Sequence, residues 1–126
     1  MKVFKFGGAS VKDSEAVRNV ARILDIFPEE KIVVVISAMG KTTNAMELIA
    51  SAIWEKDFDL FEAQVDLLKT YHSQIISELF PVDSTSIENE VNSVYTELHE
   101  RFANSERKKN AFEYDQVVSL GEVLST

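Results

Sequence analysis

The sequence predicts an α/β protein that contains a βαβ unit with parallel strands. Two apolar runs, Val3–Phe6 and Ile32–Ile36, have the length of short strands, and the second is a continuous β-branched run. Such a run is typical of a parallel strand that is covered on both faces. Apolar residues at helical spacing lie between the two runs, so strand, helix and strand follow one another and should cross over right-handed.

The helix of this unit should begin at Asp13 or Ser14, either of which can cap its first turn, and Pro28 should end it. Its inward stripe is expected to consist of Val17, Val20, Ala21, Leu24 and Phe27. A second helix should follow the second strand, from about Asn44 to Glu55. These elements assign residues 1–57 to the βαβ part of the chain.

Two long amphipathic segments come next and predict an antiparallel helical hairpin, an insertion over about residues 58–105. Pro81 ends the first segment, and Asp83 or Ser84 caps the second. Their apolar stripes are Phe61, Val65, Leu68, Tyr71, Ile75 and Leu79 in the first and Ile87, Val91, Val94, Leu98 and Phe102 in the second. A last helix is expected from Tyr114 to Thr126, within a motif segment of about residues 111–126, despite two adjacent valines.

Many more helices than strands are predicted, which is an unusual balance for a parallel α/β fold. A sheet of two strands leaves both edges open and much of its apolar surface uncovered. We therefore expect this chain to be the first part of a larger polypeptide, or to complete its sheet by pairing with another copy.

Composition and charge narrow the class of protein. The 126 residues suffice for one domain, and 45% hydrophobic with 27% charged residues is an ordinary composition for a soluble protein. A formal net charge of −8 argues against nucleic-acid binding, because few basic groups are available to neutralise phosphates. There is no cysteine, and no apolar run is long enough for a membrane span or a signal peptide. We expect a cytoplasmic protein without nucleic-acid or membrane partners.

A pair of glycines directly follows the first predicted strand, in the stretch Lys5-Phe6-Gly7-Gly8-Ala9-Ser10-Val11. Adjacent glycines bring bare backbone N–H groups close to whatever lies beyond the strand end. Lys5 and Lys12 add positive charge, and such donors at a helix N-terminus form phosphate sites. A tight strand-to-helix turn, with glycines that serve geometry only, explains the stretch equally well.

The turn after the second strand is rich in hydroxyl groups. Its Gly40-Lys41-Thr42 matches the end of a P-loop, but that motif needs a glycine where Val35 stands inside the strand, so a P-loop is excluded. The hydroxyl groups of Ser37, Thr42 and Thr43, with Asn44 at or near the helix start, can hydrogen-bond a carboxylate or a phosphate held at the helix N-terminus. Ordinary N-capping is the simpler explanation of these side chains taken alone.

A third candidate lies near the end of the sequence. On a helix, Ser119, Glu122 and Thr126 share a face, and Gly121 permits the close approach of another backbone. A glutamate there can pair with a substrate ammonium group, although a solvated surface glutamate is the commoner case. Both histidines lie within the long helices without a second ligand at metal spacing, so no metal site is predicted.

Together the three stretches resemble aspartate kinase, in the amino acid kinase superfamily. That family opens with Lys-Phe-Gly-Gly-Thr-Ser-Val, which is matched from Lys5 to Val11 except at Ala9. Its Val-Ser-Ala segment and the following Thr-Asn pair are matched by Ile36-Ser37-Ala38 and Thr43-Asn44. Its Ser-x-Gly-Glu-x-Leu-Ser motif is matched by Ser119, Gly121, Glu122, Leu124 and Ser125.

The resemblance implies a three-layer, carbamate kinase-like α/β fold and transfer of the ATP γ-phosphoryl group to the side-chain carboxylate of aspartate. The product is β-aspartyl phosphate, at the first step toward lysine, threonine and methionine. Implied with this activity are Mg²⁺ bound through the ATP phosphates and a homo-oligomer. The resemblance makes Lys5 the catalytic residue, with Gly7, Gly8 and Ser10 at the nucleotide phosphates and Ser37, Thr43, Asn44 and Glu122 at the substrate. In these roles Ser37 and Thr43 would bind substrate carboxylates, and Glu122 the α-ammonium group.

Two departures from the family qualify this assignment. Ala9 removes a hydroxyl group from the phosphate turn. The second half of the family's catalytic domain, with its nucleotide base site, and the ACT domains have no counterpart in these residues, so we expect the chain alone to be inactive. Two alternatives stay open: another amino acid kinase, acting on glutamate, carbamate or uridylate, and a non-catalytic module that works by association. Glu122 favours an amino acid as the substrate.

Overall fold

The computed structural model describes residues 1–106 and 108–126, and in these ranges it confirms an α/β architecture of two strands and five α-helices. The strands are β1 (Lys2–Phe6) and β2 (Ile32–Ile36), and a short 3-10 helix spans Gly8–Val11. The α-helices are α1 (Ser14–Leu24), α2 (Thr42–Glu55), α3 (Phe58–Leu79), α4 (Thr85–Asn104) and α5 (Ala111–Val123). This order of elements is the one that the sequence predicts.

The two strands pair in parallel, from Lys2 opposite Ile32 to Phe6 opposite Ile36, and α1 connects them. Side chains alternate between the faces of a strand, so Phe4 and Phe6 lie on the same face. Phe6 belongs to a core cluster with Val11, Val20, Met39 and Ile75. Helices α1 and α3 therefore cover this face of the sheet.

The opposite face of the sheet is open in the part of the chain that the structure describes. Val3, Val33 and Val35 lie on this face and are 64%, 46% and 45% exposed. Lys5 pairs with Val35 in the register and shares the face. The prediction that β2 is covered on both faces is wrong for the described residues, because their helices pack on one face only.

Helix α1 begins as predicted but is shorter than expected. The Asp13 side chain caps it by accepting from the Ala16 N–H at 2.8 Å. The helix ends at Leu24. Phe27 belongs to a turn beyond this end, in which the Phe27 N–H donates to the Leu24 carbonyl at 3.0 Å. Ala21, which the sequence assigns to the inward stripe, is exposed. The buried side of α1 is formed by Ser14, Val17, Val20, Ile23 and Leu24, of which Val17, Ile23 and Leu24 are half-buried.

A second and larger core lies among α2, α3, α4 and α5. Met46 and Ile49 of α2 are fully buried at its centre, with Phe61 of α3 and Leu98 of α4 beside them. The cluster also contains Ile53, Val65, Leu68, Val94, Tyr95, Val117, Leu120 and Leu124. The long helices are thus packed into the same body as α2 and α5.

Helices α3 and α4 run antiparallel, as the short connection between them predicts. Near the start of α3, the Phe61 ring lies 4.6 Å from the Phe102 ring near the end of α4. Further along α3, Nδ1 of His72 lies 3.4 Å from the Tyr95 hydroxyl, which is earlier in α4. Increasing residue numbers in one helix therefore meet decreasing numbers in the other.

Helix α5 begins three residues before the predicted Tyr114, because the Asn110 side chain caps it by accepting from the Phe112 N–H at 3.0 Å. Its Tyr114 ring stacks on the Trp54 ring of α2, with the ring centroids 6.0 Å apart. The helix ends at Val123, so Thr126 lies beyond it and the predicted shared helical face does not extend to that residue. Across residues 1–106 and 108–126, no helix combines the length and the hydropathy needed to cross a membrane.

Candidate active site

The carboxyl ends of β1 and β2 meet at one edge of the sheet, and the loops that follow them are bonded to each other. The Ser37 N–H donates to the Phe6 carbonyl at 3.0 Å, and the Gly40 N–H donates to the Gly8 carbonyl at 3.0 Å. A Cβ built at Gly8 would lie 2.7 Å from the Ala38 carbonyl oxygen, so this approach requires glycine. Ligands of open α/β sheets bind at this end of the strands. The two turns singled out in the sequence therefore form one candidate site.

The first loop, residues 7–12, presents unused backbone donors. Gly7 is extended, with φ −77° and ψ 169°, and the buried side chain of Val11 anchors the 3-10 helix that follows. The Ser10 N–H is already used, since it donates to the Gly7 carbonyl at 2.8 Å, while the Ser10 side chain is exposed. Within residues 1–106 and 108–126, the N–H groups of Gly7 and Gly8 donate no hydrogen bond. Both groups are free to bind an oxyanion.

Positive charge adjoins these donors. The exposed Lys5 side chain folds toward the loop, because a Cβ built at Gly7 would lie 3.9 Å from its Nζ atom. Lys12 ends the same loop, and its Cβ lies 3.9 Å from the Cβ position of Gly40. Among the described residues, neither lysine forms an ion pair. The ammonium group of Lys5 is therefore available to a charged ligand at the glycines.

The second loop, residues 37–41, leads into α2, which begins two residues earlier than predicted. Thr42 is its first residue, Lys41 occupies the N-cap position, and among residues 1–106 and 108–126 no side chain caps the helix. N-capping, the simpler explanation of the polar residues here, is therefore wrong for Ser37, Thr43 and Asn44. Ser37 and Thr43 are half-buried and Asn44 is exposed in the first turn of α2. The uncapped N–H groups of this turn carry the positive end of the helix dipole.

The C-terminal end of α5 closes the site beside the second loop. The Ser125 hydroxyl donates to the Ser37 carbonyl at 2.8 Å. Gly121 faces α2 closely, since a Cβ built there would lie 3.4 Å from side-chain atoms of Thr42 and of two further residues, Ala38 and Met46. Glu122 follows Gly121 and is exposed, and within the described ranges it forms no ion pair. Ser119 is exposed, and its hydroxyl donates to the Gln116 carbonyl one turn earlier.

Tyr71 of α3 is a site neighbour that sequence reasoning assigned only to an apolar stripe. Its hydroxyl donates to the Lys12 carbonyl at the end of the first loop. The same hydroxyl lies 2.6 Å from the position that a Cβ at Gly40 would occupy. Burial, with a smaller contribution from the Asp13 carboxylate, raises the pKa of Tyr71 above its usual value. The signal in the sequence is a tyrosine, with a polar tip, in a stripe whose other members are purely apolar.

A separate cavity lies away from the two loops. It measures about 880 Å³ and lies between the ends of α2 and α4 and the start of α5. Arg101 within it is bonded to Glu97 at 2.7 Å and to Glu113 at 3.2 Å, so its charge is already satisfied. A smaller groove of about 500 Å³ adjoins the second loop between α2 and α3. Chemically, the free donors at the strand ends mark the better candidate.

The family of the chain follows from comparison with known proteins. A family model described as the amino acid kinase family matches residues 1–126. The chain therefore belongs to the amino acid kinase family. Within that family its similarity is to aspartokinases, as the three sequence motifs predict.

Two plant proteins illustrate this similarity. Aspartokinase 2, chloroplastic, of Arabidopsis thaliana is 32% identical over 126 residues, which cover 98% of this chain and 23% of the relative. Aspartokinase 1, chloroplastic, of the same plant is 34% identical over 130 residues, which cover 98% of this chain and 22% of the relative. The chain thus spans about a quarter of the length of the curated relatives that it matches.

Solved structures share the fold. Escherichia coli aspartokinase III in complex with aspartate and ADP matches with a TM-score of 0.76 at 24% identity, over 99% of this chain and 27% of that one. Clostridium acetobutylicum aspartate kinase matches with a TM-score of 0.74 at 26% identity, over 98% of this chain and 27% of that one. The predicted α/β kinase fold is confirmed for the residues that these matches cover.

Proposed function

We propose that the two loops and the end of α5 form part of an aspartate kinase site. The reaction transfers the γ-phosphoryl group of ATP to the side-chain carboxylate of L-aspartate. The observation that carries the proposal is the junction of the loops, where the unused amides of Gly7 and Gly8 and the Lys5 ammonium lie at the ends of two parallel strands. In a member of the amino acid kinase family, these groups suit the oxygens of a polyphosphate.

The proposed reaction needs positioning and charge stabilisation more than covalent chemistry. A carboxylate oxygen of aspartate forms a bond to the γ-phosphorus while the bond from that phosphorus to the β,γ-bridging oxygen breaks, and ADP leaves. We assign Lys5 to the charge on the transferring phosphoryl group, and Gly7, Gly8 and Ser10 to the nucleotide phosphates. Mg²⁺ would be bound through the ATP phosphates and would neutralise them further. No residue of this chain is assigned to the metal.

Aspartate itself is assigned to the second loop and to α5. Ser37 and Thr43 would bind its carboxylates, with Asn44 in the same site at the positive end of α2. In the part of the chain that the structure describes, no side chain caps α2, which supports this assignment because these polar groups are not engaged there. Glu122 would bind the α-ammonium group, and the Ser125–Ser37 hydrogen bond supports its place beside the loop.

The relatives support the same pair of substrates. The E. coli enzyme whose fold this chain shares was solved with aspartate and ADP. From this likeness we propose that residues 1–126 form the N-terminal portion of a kinase domain, with the βαβ part, the helical insertion and the motif helix divided as the sequence predicts. A cytoplasmic homo-oligomer acting at the first step toward lysine, threonine and methionine is proposed with it.

The decisive experiment assays the protein expressed from its whole reading frame with ATP, Mg²⁺ and L-aspartate, trapping the acyl phosphate as its hydroxamate. Lys5→Ala should lower kcat by roughly 100-fold or more, the typical effect of removing one preorganised charge-stabilising donor. Lys31→Ala is the matched control, because Lys31 is an exposed lysine beside the opposite end of β2. Equal activity of the two variants would remove Lys5 from the mechanism.

Two further assays separate the alternatives. A panel of acceptor substrates containing glutamate, carbamate and uridylate tests for another amino acid kinase. If any of these is phosphorylated faster than aspartate, that compound replaces aspartate as the proposed substrate. The open apolar face formed by Val3, Val33 and Val35 favours the second candidate, a module that works by association. For the 126-residue chain alone we expect no turnover, and light scattering that finds a dilution-stable monomer would count against association.

A further inference from the structure

We propose that Tyr71 is a positioning residue of the candidate active site, which holds the first and second loops against each other from α3. Its hydroxyl donates to the Lys12 carbonyl at the end of the first loop. The same group fills the space beside Gly40 in the second loop. The inference rests on the proposed function of the two loops for its effect on catalysis.

The two loops contact each other directly at their glycines, and Tyr71 adds a contact to both loops from a third element. The Gly40 N–H to Gly8 carbonyl bond joins the middle of the loops, and Gly40 has a positive φ of 52°, which only glycine adopts without strain. Where another residue would carry a side chain, Gly40 has the Tyr71 hydroxyl. The tyrosine therefore replaces packing that the glycine cannot supply.

Tyr71 is itself held in place by the attachment of α3 to α1. Near the C-terminal end of α3, Glu78 accepts a hydrogen bond from the Ser14 hydroxyl through its side chain, and one from Arg18 through its backbone carbonyl. Ser14 is the first residue of α1, directly after the first loop and its cap. Helix α3 thus contacts both ends of the short segment from Lys12 to Ser14, and Tyr71 is fixed relative to the loop that it bonds.

The expected effect of losing the Tyr71 hydroxyl follows from an equilibrium between closed loops, in contact with each other as in the structure, and open loops that have separated. Losing one hydrogen bond should raise the open fraction about fivefold, as for a typical intramolecular bond. A ligand that binds only the closed loops then binds more weakly in proportion to the fall in the closed fraction, which reaches the same factor only where the open form already predominates, while the rate from the saturated complex stays unchanged. Tyr71 should therefore influence KM for ATP rather than kcat.

The test compares Tyr71→Phe with Tyr114→Phe in the protein expressed from its whole reading frame. Tyr114 is a matched control, because its hydroxyl donates to Glu47 at 3.0 Å and joins α5 to α2 away from the loops. Hydrogen exchange of the peptides that contain residues 7–12 and 38–44 should be about fivefold faster in Tyr71→Phe and unchanged in Tyr114→Phe. KM for ATP should rise up to about fivefold in Tyr71→Phe alone, with kcat unchanged.

A second variant tests the same contact from the other side. In Gly40→Ala the new Cβ would meet the Tyr71 hydroxyl at 2.6 Å and displace it, whereas without the hydroxyl the next ring atom is 3.4 Å away. The backbone strain at Gly40 is common to both backgrounds and cancels. Gly40→Ala should therefore accelerate loop exchange by a smaller factor in Tyr71→Phe than in the parent protein.

The outcomes are distinguishable. Unchanged loop exchange in Tyr71→Phe, or fold-changes that simply multiply in the double variant, would overturn the positioning role. If the parent protein transfers no phosphoryl group, the proposed function fails, and the exchange measurements still decide whether Tyr71 holds the loops together. Faster exchange with a lower kcat and an unchanged KM would contradict a role in nucleotide binding.

Discussion

Gly8 and Ala38 meet backbone to backbone across the two loops, with the α-carbon of one facing the carbonyl oxygen of the other. A Cβ on Gly8 would approach that oxygen to 2.7 Å and the Gly40 carbonyl oxygen to 3.1 Å. At Gly7, one residue earlier, the nearest atom to a Cβ is the Lys5 Nζ at 3.9 Å. Two adjacent glycines of one motif therefore have different structural requirements.

This difference predicts losses of different size for two alanine substitutions. Gly8→Ala should lower the free energy of unfolding by about 1–3 kcal/mol, as overpacking against fixed backbone does. Gly7→Ala should change it by less than about 1 kcal/mol, because φ at Gly7 is −77° and the space is open. Urea denaturation of both variants measures the effect, and equal losses would show that the loops do not require close contact at Gly8.

At Gly121, in contrast to Gly8, we expect an alanine substitution to be tolerated. Its Cβ position lies 3.4 Å from atoms of Ala38, Thr42 and Met46, which is the limit of ordinary contact. Alanine gains about 1 kcal/mol of helix propensity over glycine, so Gly121→Ala should stay within about 1 kcal/mol of the parent stability. Gly121→Leu must push α5 from α2 and should cost about 1–3 kcal/mol. Thermal unfolding of the pair tests this order, and a large loss in the alanine variant would contradict it.

Stability should fall at mildly acidic pH because of one buried histidine. Burial lowers the pKa of His72 below its ordinary 6.5, against a smaller opposing effect of its hydrogen bond to Leu68. The unfolded chain therefore binds this proton at a higher pH than the folded chain, and the contribution to stability is lost as pH falls below about 6.5. One such proton changes the free energy of unfolding by at most about 1.4 kcal/mol per pH unit.

The variant His72→Leu isolates this contribution. Urea titrations of parent and variant between pH 8 and pH 5 give the free energy of unfolding at each pH. Its dependence on pH should differ between the two proteins only below about pH 6.5, where the variant should lose less stability as the pH falls. Nε2 of His72 is buried without a hydrogen-bond partner in the described residues, so leucine also removes an unsatisfied group. Parallel curves for the two proteins would show that His72 does not titrate on unfolding.

Lys56 joins the turn between α2 and α3 to the end of α4. Its ammonium group donates to the Phe102 carbonyl at 2.6 Å and to the Ser105 hydroxyl at 2.7 Å. Lys56→Met should lower the free energy of unfolding by about 1–2 kcal/mol, because a charged donor at a helix C-terminus is lost. Lys56→Gly loses the same bonds but relieves the left-handed φ of 57°, which costs a side-chain-bearing residue about 1 kcal/mol. Calorimetry should therefore find the glycine variant the more stable of the two.

The strands and the start of α1 were predictable because their signals are local. A β-branched run and an Asp followed by a helical stripe each specify structure within a few residues, and β2 and the Asp13 cap agree with them. The end of α1 and the exposure of Ala21 were not, because Ile23 and not Ala21 accompanies Val20 and Leu24 on the buried side. Tertiary packing decides how the helix is rotated about its axis, and the sequence pattern alone does not specify that rotation.

The candidate site shows the same division. The glycine pair and the hydroxyl-rich turn are visible in the sequence as strand-end motifs, and the structure joins them through Gly40 and Gly8. The start of α2 at Thr42 was missed because polar residues that suit a cap stand within the first turn instead. The contact of Tyr71 with Lys12 joins residues far apart in the chain, and no local pattern specifies it.

Helix α3 belongs to both hydrophobic clusters of the protein. Phe61 and Val65 lie in the cluster of the helices, whereas Ile75 lies in the cluster under the sheet. The 22 residues of this helix extend about 33 Å as one rigid rod. Both clusters pack against this one helix. Unfolding should therefore be cooperative across the whole body, and the probe chosen to follow it, in the sheet or among the helices, should make no difference to the midpoint.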